Sequence, residues 1–169
     1  MTLHGRLAHR KTVIAEQWLD RVLQSYPSRS ALFFKGQGDR FANPVGQTIA
    51  TGTRAVVEGL VEGAEVPTLA EQLHGTIEIR AVQEFSPGAA LGFIHELKDV
   101  LRQELAAELN DERARTDLRE LEQRIDRLML AAFDFYVACR QRLSEVRVNE
   151  IKRSVAVLLR RANVGDEGG

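Results

Sequence analysis

The chain has 169 residues, of which 44% are hydrophobic and 28% are charged, and its formal net charge is −1 at pH 7. This composition is that of an ordinary globular protein and argues against a disordered chain. The near-zero net charge argues against a strong field for nucleic acid. The single cysteine, Cys139, excludes an internal disulfide and fits a reducing compartment.

The N-terminal residues do not read as a secretory signal, because no apolar stretch follows their basic residues. No segment approaches the roughly 18 consecutive apolar residues that a membrane span needs. We therefore expect a cytoplasmic protein without a membrane span.

Helical periodicity begins at the N-terminus. The first predicted helix runs from Leu7 to Ser25 and stops before Pro27, which lacks the amide hydrogen that would continue it. A short helical turn is predicted at Ser30 to Lys35, followed by a loop at 36–39.

The second predicted helix runs from Pro44 to about Glu62 and ends at Gly63. Asn43 is the expected N-cap, with proline at the first helical position. Gly52 and Gly59 are seven residues apart, so we expect them on a face where another helix packs closely.

Two further helices are each opened by a proline. The third is predicted from Pro67 to near Phe85. The fourth is predicted from Pro87, capped by Ser86, to about Leu109.

The last predicted segment runs from Glu112 to about Ala162 without proline or glycine. It is either one very long helix or two helices with a bend near Ser144, and residues 164–169 read as a flexible tail. No alternating strand pattern and no domain boundary are present, so we predict a single all-α domain over 1–169, a helical bundle with a long C-terminal helix.

The histidines do not form a metal-binding motif, because none are paired at the spacing of a helical metal site. His74 and His95 are the two candidates for a haem ligand, and a structural role is favoured for both. Cys139 is expected to be a small buried residue, with redox sensitivity promoted by Arg140 and Arg142 as the alternative. We predict no catalytic residue, metal or cofactor.

The segment 140–161 is basic and carries an apolar stripe. Such a helix can bind an acidic partner or a membrane surface, but a core or dimer helix is the more ordinary use of an apolar stripe. We favour the latter, and expect no nucleic-acid binding because no base-reading motif accompanies the charge.

Three stretches carry a family resemblance: Asp39-Arg-Phe-Ala-Asn-Pro-Val-Gly46, Ile79-Arg-Ala-Val-Gln-Glu-Phe-Ser-Pro87 with its continuation to Lys98, and Phe133-Asp-Phe-Tyr-Val-Ala-Cys-Arg140 with 145–153. Together they resemble the N-terminal sensory domain of the RsbT co-antagonist protein RsbRD, over roughly residues 12–155.

The resemblance implies a helical, non-enzymatic signal-input domain of bacterial stress signalling, dimeric and globin-like without haem. In many relatives a STAS domain follows; here the sequence ends at Gly169, so we expect a stand-alone member that regulates a separate protein. The alternative is a haem- or redox-sensing protein of anaerobic sulfur or energy metabolism, since stand-alone members occur in such bacteria. The periodicity alone is compatible with a globin-like arrangement or with another bundle.

Residues from these stretches are the candidates for signal or partner binding, or for a structural role. They are Arg40, Phe41, Asn43, Pro44, Gly46, Arg80, Gln83, Phe85, Asp134, Tyr136, Cys139, Arg140, Arg147 and Asn149. Arg80 and Gln83 lie three apart on one helix face and can meet the same neighbour. Arg40 and Arg80 are the first candidates for an acidic ligand or for a structural ion pair. The ion pair is favoured because buried arginine is usually paired with a carboxylate, and Asp134 is a candidate partner.

Overall fold

The computed structural model of the protein describes residues 2–27 and 43–166, with side chains up to Ala162. These residues form α-helices and no β-strand, which confirms the all-α prediction. The helices are α1 (Leu3–Gln24), α2 (Pro44–Glu62), α3 (Val66–Val82), α4 (Pro87–Glu104) and α5 (Glu112–Asp166), with a 3₁₀ turn at Ala106–Glu108 between the last two.

The helices of the body pack around one hydrophobic core. The first helix lies against α2 and α4, while α3 lies against α2 and α5, and α4 also contacts α5. Trp18 lies in this core between α1 and α4: it is fully buried, and its indole Nε1 donates a hydrogen bond to the carbonyl of Phe93 at 2.6 Å. Its ring also stacks on that of Phe93, with centroids 5.9 Å apart.

Two glycines allow α2 and α3 to approach closely, as their spacing predicted. A Cβ atom at Gly52 would lie 2.6 Å from the carbonyl oxygen of Gln72, and one at Gly59 would lie 2.6 Å from Cδ2 of Leu69. Gly63 ends α2 with φ 76°, the left-handed conformation that favours glycine at a helix C-terminus.

Some predicted boundaries are wrong. The first helix begins at Leu3 rather than Leu7, because the side chain of Thr2 caps it by accepting a hydrogen bond from the amide of Gly5. The third ends at Val82 rather than Phe85, and the fourth ends at Glu104 rather than Leu109. The turn predicted at Ser30 to Lys35 and the loop at 36–39 lie outside the described residues.

The last helix is continuous, so of the two alternatives for this segment the single long helix is confirmed, without a break at Ser144. Its first part packs against α3 and α4. From Ser144 to Ala162 every residue is exposed, and we call this part the stem. None of the helices in the described part of the chain has an apolar stretch long enough to cross a lipid bilayer.

Candidate functional site

The turn between α3 and α4 has an unusual backbone at Glu84. This residue has φ 62°, the single non-glycine residue with positive φ in the described part of the chain. The amide of Phe85 donates back to the carbonyl of Arg80 at 3.2 Å, which closes the end of α3. Ser86 then caps α4 by accepting a hydrogen bond from the amide of Ala89 at 3.3 Å, as predicted. The chain therefore reverses direction here without glycine.

Three side chains of α5 hold this turn. The hydroxyl of Tyr136 donates to the carbonyl of Phe85, and Nη1 of Arg140 donates to the carbonyl of Ala81 at 2.9 Å. Near the start of the stem, Arg147 forms an ion pair with Glu84, in which Nη2 of Arg147 lies 2.6 Å from Oε1 of Glu84. The contact with Ala81 adds a donor to one of the last carbonyls of α3, and the contact with Phe85 holds the backbone of the turn itself.

The three contacting residues lie on one face of α5, because positions 136, 140 and 147 are separated by about one and two helical turns. The helix α5 is therefore fixed to the end of α3 and to the α3–α4 turn at three points, of which Arg147 lies in the stem. We call this set of contacts the turn clamp: Tyr136 with Phe85, Arg140 with Ala81, and Arg147 with Glu84.

Arg80 lies on the other side of the same turn and is fully buried. Its guanidinium carbon lies 5.1 Å from the ring centroid of Tyr26, 5.1 Å from that of Phe85 and 4.9 Å from that of Phe93. Cation–π contact with these rings, of which those of Tyr26 and Phe93 are buried, stabilises a charge that has left water. Burial lowers the pKa of Arg80, and the neighbouring Tyr26 partly opposes this effect.

The guanidinium also ties together the ends of two other helices. Its Nη1 donates to the carbonyl of Ala89 at 3.0 Å, and its Nη2 donates to the carbonyl of Val22 at 3.2 Å and to Oγ of Ser25 at 2.7 Å. Arg80 therefore connects the end of α1 and the start of α4 to the turn that α5 holds.

The predicted pairing of Arg80 with Asp134 is wrong. Asp134 is exposed, and no carboxylate of the described residues forms an ion pair with Arg80. Rings and carbonyl dipoles stabilise the guanidinium instead, while its buried Nε has no hydrogen-bond partner. The prediction that Arg80 and Gln83 share a neighbour is confirmed, because the hydroxyl of Tyr26 donates to Oε1 of Gln83 at 3.2 Å.

The candidates around residue 43 have a structural role in helix capping. The side-chain oxygen of Asn43 accepts a hydrogen bond from the amide of Gly46 at 3.0 Å, and Pro44 opens the helix behind it. A Cβ at Gly46 would collide with the Asn43 side chain. Arg40 and Phe41 lie outside the described residues. Asn149 is exposed on the stem, away from the turn clamp.

Cys139 is buried, with 3% of its surface exposed. Its Sγ lies 3.3 Å from Nη2 of Arg142, whereas Arg140 is engaged by the turn. The thiol borders a groove of about 240 Å³ between α3 and α5, where the stem begins; the lining residues are Glu78, Val82, Cys139, Arg142, Leu143 and Val146.

The two histidines considered as haem ligands are far from equivalent. His74 stacks on Phe135, with ring centroids 3.8 Å apart and planes 6° apart, while His95 is exposed. No group of three or more histidine, cysteine or acidic side chains that could hold a metal ion occurs among the described residues.

Sequence reasoning identified the apolar stripe of the segment 140–161 but missed its continuation on the earlier part of α5. Leu130, Phe133 and Val137 are 44–66% exposed on the helix face opposite the core. On the stem the same stripe continues through exposed Val148, Ile151, Val155 and Leu158. These exposed apolar residues of the stem are separated alternately by three and four residues, and this pattern could have indicated the stripe from the sequence. We call this stripe the seam: Leu130, Phe133, Val137, Val148, Ile151, Val155 and Leu158.

The comparisons with known proteins agree with the resemblance seen in the sequence. A protein of Archaeoglobus fulgidus described as "Uncharacterized protein" is 28% identical over 142 residues, which cover 83% of each chain. No solved structure matches the chain. Residues 12–151 match the family described as "RsbT co-antagonist protein rsbRD N-terminal domain". The chain therefore belongs to the RsbRD N-terminal domain family.

Proposed function

We propose that the protein is a non-enzymatic, cytoplasmic signal-input domain that forms a homodimer through the seam and regulates a separate protein by contact. Family membership supports the signalling role. The single observation that supports self-association best is the exposed seam, because a helix whose apolar residues have no partner is destabilised in water.

The stem part of the seam has the pattern of a two-stranded coiled coil. Val148, Ile151, Val155 and Leu158 are separated by three, four and three residues, the spacing of alternating a and d positions in a heptad. β-Branched residues at the a positions, here Val148 and Val155, favour two strands. A second copy presents an identical stripe, so it is the simplest partner of matching length.

The body part of the seam adds to the same contact surface. Leu130, Phe133 and Val137 lie about two to four turns before the stem on the same helix face. From Leu130 to Leu158 the seam extends over about 42 Å of helix at about 1.5 Å per residue. A dimer of this kind therefore engages both the body and the stem.

The turn clamp offers a route by which a change in the body reaches the stem. Arg80 contacts the ends of α1 and α4, and the turn beside it is fixed to α5 by Tyr136 and Arg140. A signal that displaces α1 or α4 would thus alter the position of α5, and with it the packing of two stems. Small shifts of this kind are amplified where an interface has two discrete packings.

The proposed dimer can be tested by introducing charged residues into the seam. We expect the wild-type chain to be a dimer at tens of micromolar, and the double variant Ile151→Glu, Leu158→Glu to be a monomer, by size-exclusion chromatography with light scattering. Val146→Glu, Val157→Glu is the matched control. Val146 and Val157, like Ile151 and Leu158, are exposed apolar residues of the stem, but they lie outside the seam. A monomeric wild-type chain, or two double variants with the same mass, would contradict the proposal.

A further inference from the structure

The stem carries a concentration of positive charge. Residues 144–162 contain five cationic residues and two carboxylates, a net charge of +3. The whole chain carries −1, and residues 1–143 carry −2. The protein therefore has a weakly acidic body and a basic stem.

Four of the five cations have no partner among the described residues. Arg147 belongs to the turn clamp, but Lys152, Arg153, Arg160 and Arg161 are exposed and form no hydrogen bond or ion pair with any residue that the structure describes. Glu150, on the same helix, forms no ion pair with them either within the described residues. Arg153 and Arg160 lie on one side of the stem, with Lys152 and Arg161 about 90° around the helix to either side of them. We call Arg153 and Arg160 the basic face.

The basic face is separate from the seam. At about 3.6 residues per turn, Arg153 and Arg160 lie seven residues apart and roughly 140° around the helix from the line through Val148 and Val155. A dimer that buries the seam leaves them in water. The basic face is thus available to another molecule in the dimer as well as in the monomer.

Apolar side chains accompany these charges. Val146 and Val157 are 55% and 46% exposed and lie beside Arg153 and Arg160 on the same side of the stem. Phosphate recognition uses cationic and polar groups and gains nothing from valines, whereas protein interfaces combine apolar side chains with arginine.

We propose that the basic face, with Val146 and Val157, is the docking surface for a separate protein, and that it binds an acidic amphipathic helix of that protein. The inference rests on the proposed function as an input domain that acts on another protein, and names the surface and the chemistry of the partner. Carboxylates spaced along one side of the partner helix would meet Arg153 and Arg160, and its apolar side chains would meet Val157.

The test measures binding of a fluorescently labelled synthetic helical peptide, with glutamates along one side and leucines beside them, to the full chain by anisotropy. We expect saturable binding that weakens with salt and becomes at least about tenfold weaker in the double variant Arg153→Glu, Arg160→Glu. Arg54→Glu, Arg113→Glu is the matched control, because both arginines are exposed, without an ion pair among the described residues, and the net charge changes equally.

Several results would overturn the inference: no saturable binding to the wild-type chain, equal weakening in both double variants, or tighter binding of a DNA duplex or of phosphatidylglycerol vesicles than of the peptide. Light scattering on the same samples separates this inference from the dimer. Arg153→Glu, Arg160→Glu is expected to remain dimeric, and a monomeric wild-type chain that still binds the peptide through Arg153 and Arg160 would contradict the dimer alone.

Discussion

Tyr136 of the long helix donates a hydrogen bond to the main-chain carbonyl of Phe85, across 51 positions of sequence. The acceptor lies in the turn between α3 and α4. A single hydroxyl therefore joins α5, which carries the stem, to the backbone that connects α3 to α4. Phe85 in turn presents its ring to Arg80 and, edge-on, to Tyr26, with centroids 5.6 Å apart in the second pair. The contact therefore links α5 to the buried charge of the body.

Removal of this hydroxyl is expected to destabilise the body. Tyr136→Phe keeps the buried ring but leaves the carbonyl of Phe85 without its donor, which costs about 1–2 kcal/mol. Urea unfolding followed by circular dichroism measures the loss, at one protein concentration because association contributes to apparent stability. An unchanged free energy of unfolding would show that the hydroxyl does not hold the turn.

The arrangement around Arg80 predicts a contrast between two conservative changes. Arg80→Lys keeps the charge, but an ammonium group lacks the planar fork that reaches the carbonyls of Val22 and Ala89, so we expect a loss of about 2 kcal/mol or more. Asp134→Asn should change stability by less than about 0.5 kcal/mol, because Asp134 is exposed. If both variants lost the same stability in thermal unfolding, the result would support an ion pair between Arg80 and Asp134 and contradict the structure.

The ion pair between Glu84 and Arg147 predicts a specific pH dependence. The hydrogen bond and charge of Arg147 hold the pKa of Glu84 below its ordinary value of 4.5. Because the folded-state pKa is the lower one, this contribution is complete above the unfolded-state pKa and is lost as pH falls through the folded-state pKa.

Nuclear magnetic resonance titration of the Glu84 carboxyl can check this. The pKa should rise toward its ordinary value in Arg147→Gln and should stay low in the control Arg153→Gln, whose arginine forms no ion pair with a described residue. If the pKa of Glu84 were the same in the wild type, Arg147→Gln and Arg153→Gln, the ion pair between Glu84 and Arg147 would not be part of the turn clamp in solution.

Two glycines, Gly52 on α2 and Gly92 on α4, should respond oppositely to alanine. Gly52→Ala places a Cβ against the backbone carbonyl of Gln72, which cannot move freely, and should cost about 1–3 kcal/mol. Gly92→Ala meets nothing within 4 Å and should stabilise α4 by about 0.5–1 kcal/mol, because glycine loses more freedom on folding. Chemical denaturation of both variants tests the pair, and a gain at position 52 would contradict the close approach of α2 and α3.

Local chemistry predicted the start and end of α2 well, since Asn43, Pro44 and Gly63 mark them by capping and conformational preference. The end of α3 was missed because apolar periodicity continues to Phe85 while the chain turns at Glu84, a residue type that seldom takes positive φ. No local pattern marks such a turn; it is held by contacts from α5.

The candidate site was predicted as a set of residues but not as an arrangement. Gln83, Phe85, Tyr136 and Arg140 were all selected, and they meet at one turn. The partner of Arg80 was mispredicted because a charge rule was applied where aromatic rings stabilise the cation, and Tyr26 and Phe93 are distant from it in sequence. Rings that converge from three elements are visible only in the folded chain.

The length of the free stem has a consequence for how its own order is maintained. Nineteen residues from Ser144 to Ala162 have no tertiary contact that buries them, and isolated helices of about this length are marginal in water. The helical structure of the stem is therefore stabilised mainly by the molecule that binds to it, a second copy of the chain or a partner protein. Its helicity should rise with protein concentration and on addition of a bound partner, so that the far-ultraviolet spectrum of the chain becomes a direct readout of its state of association.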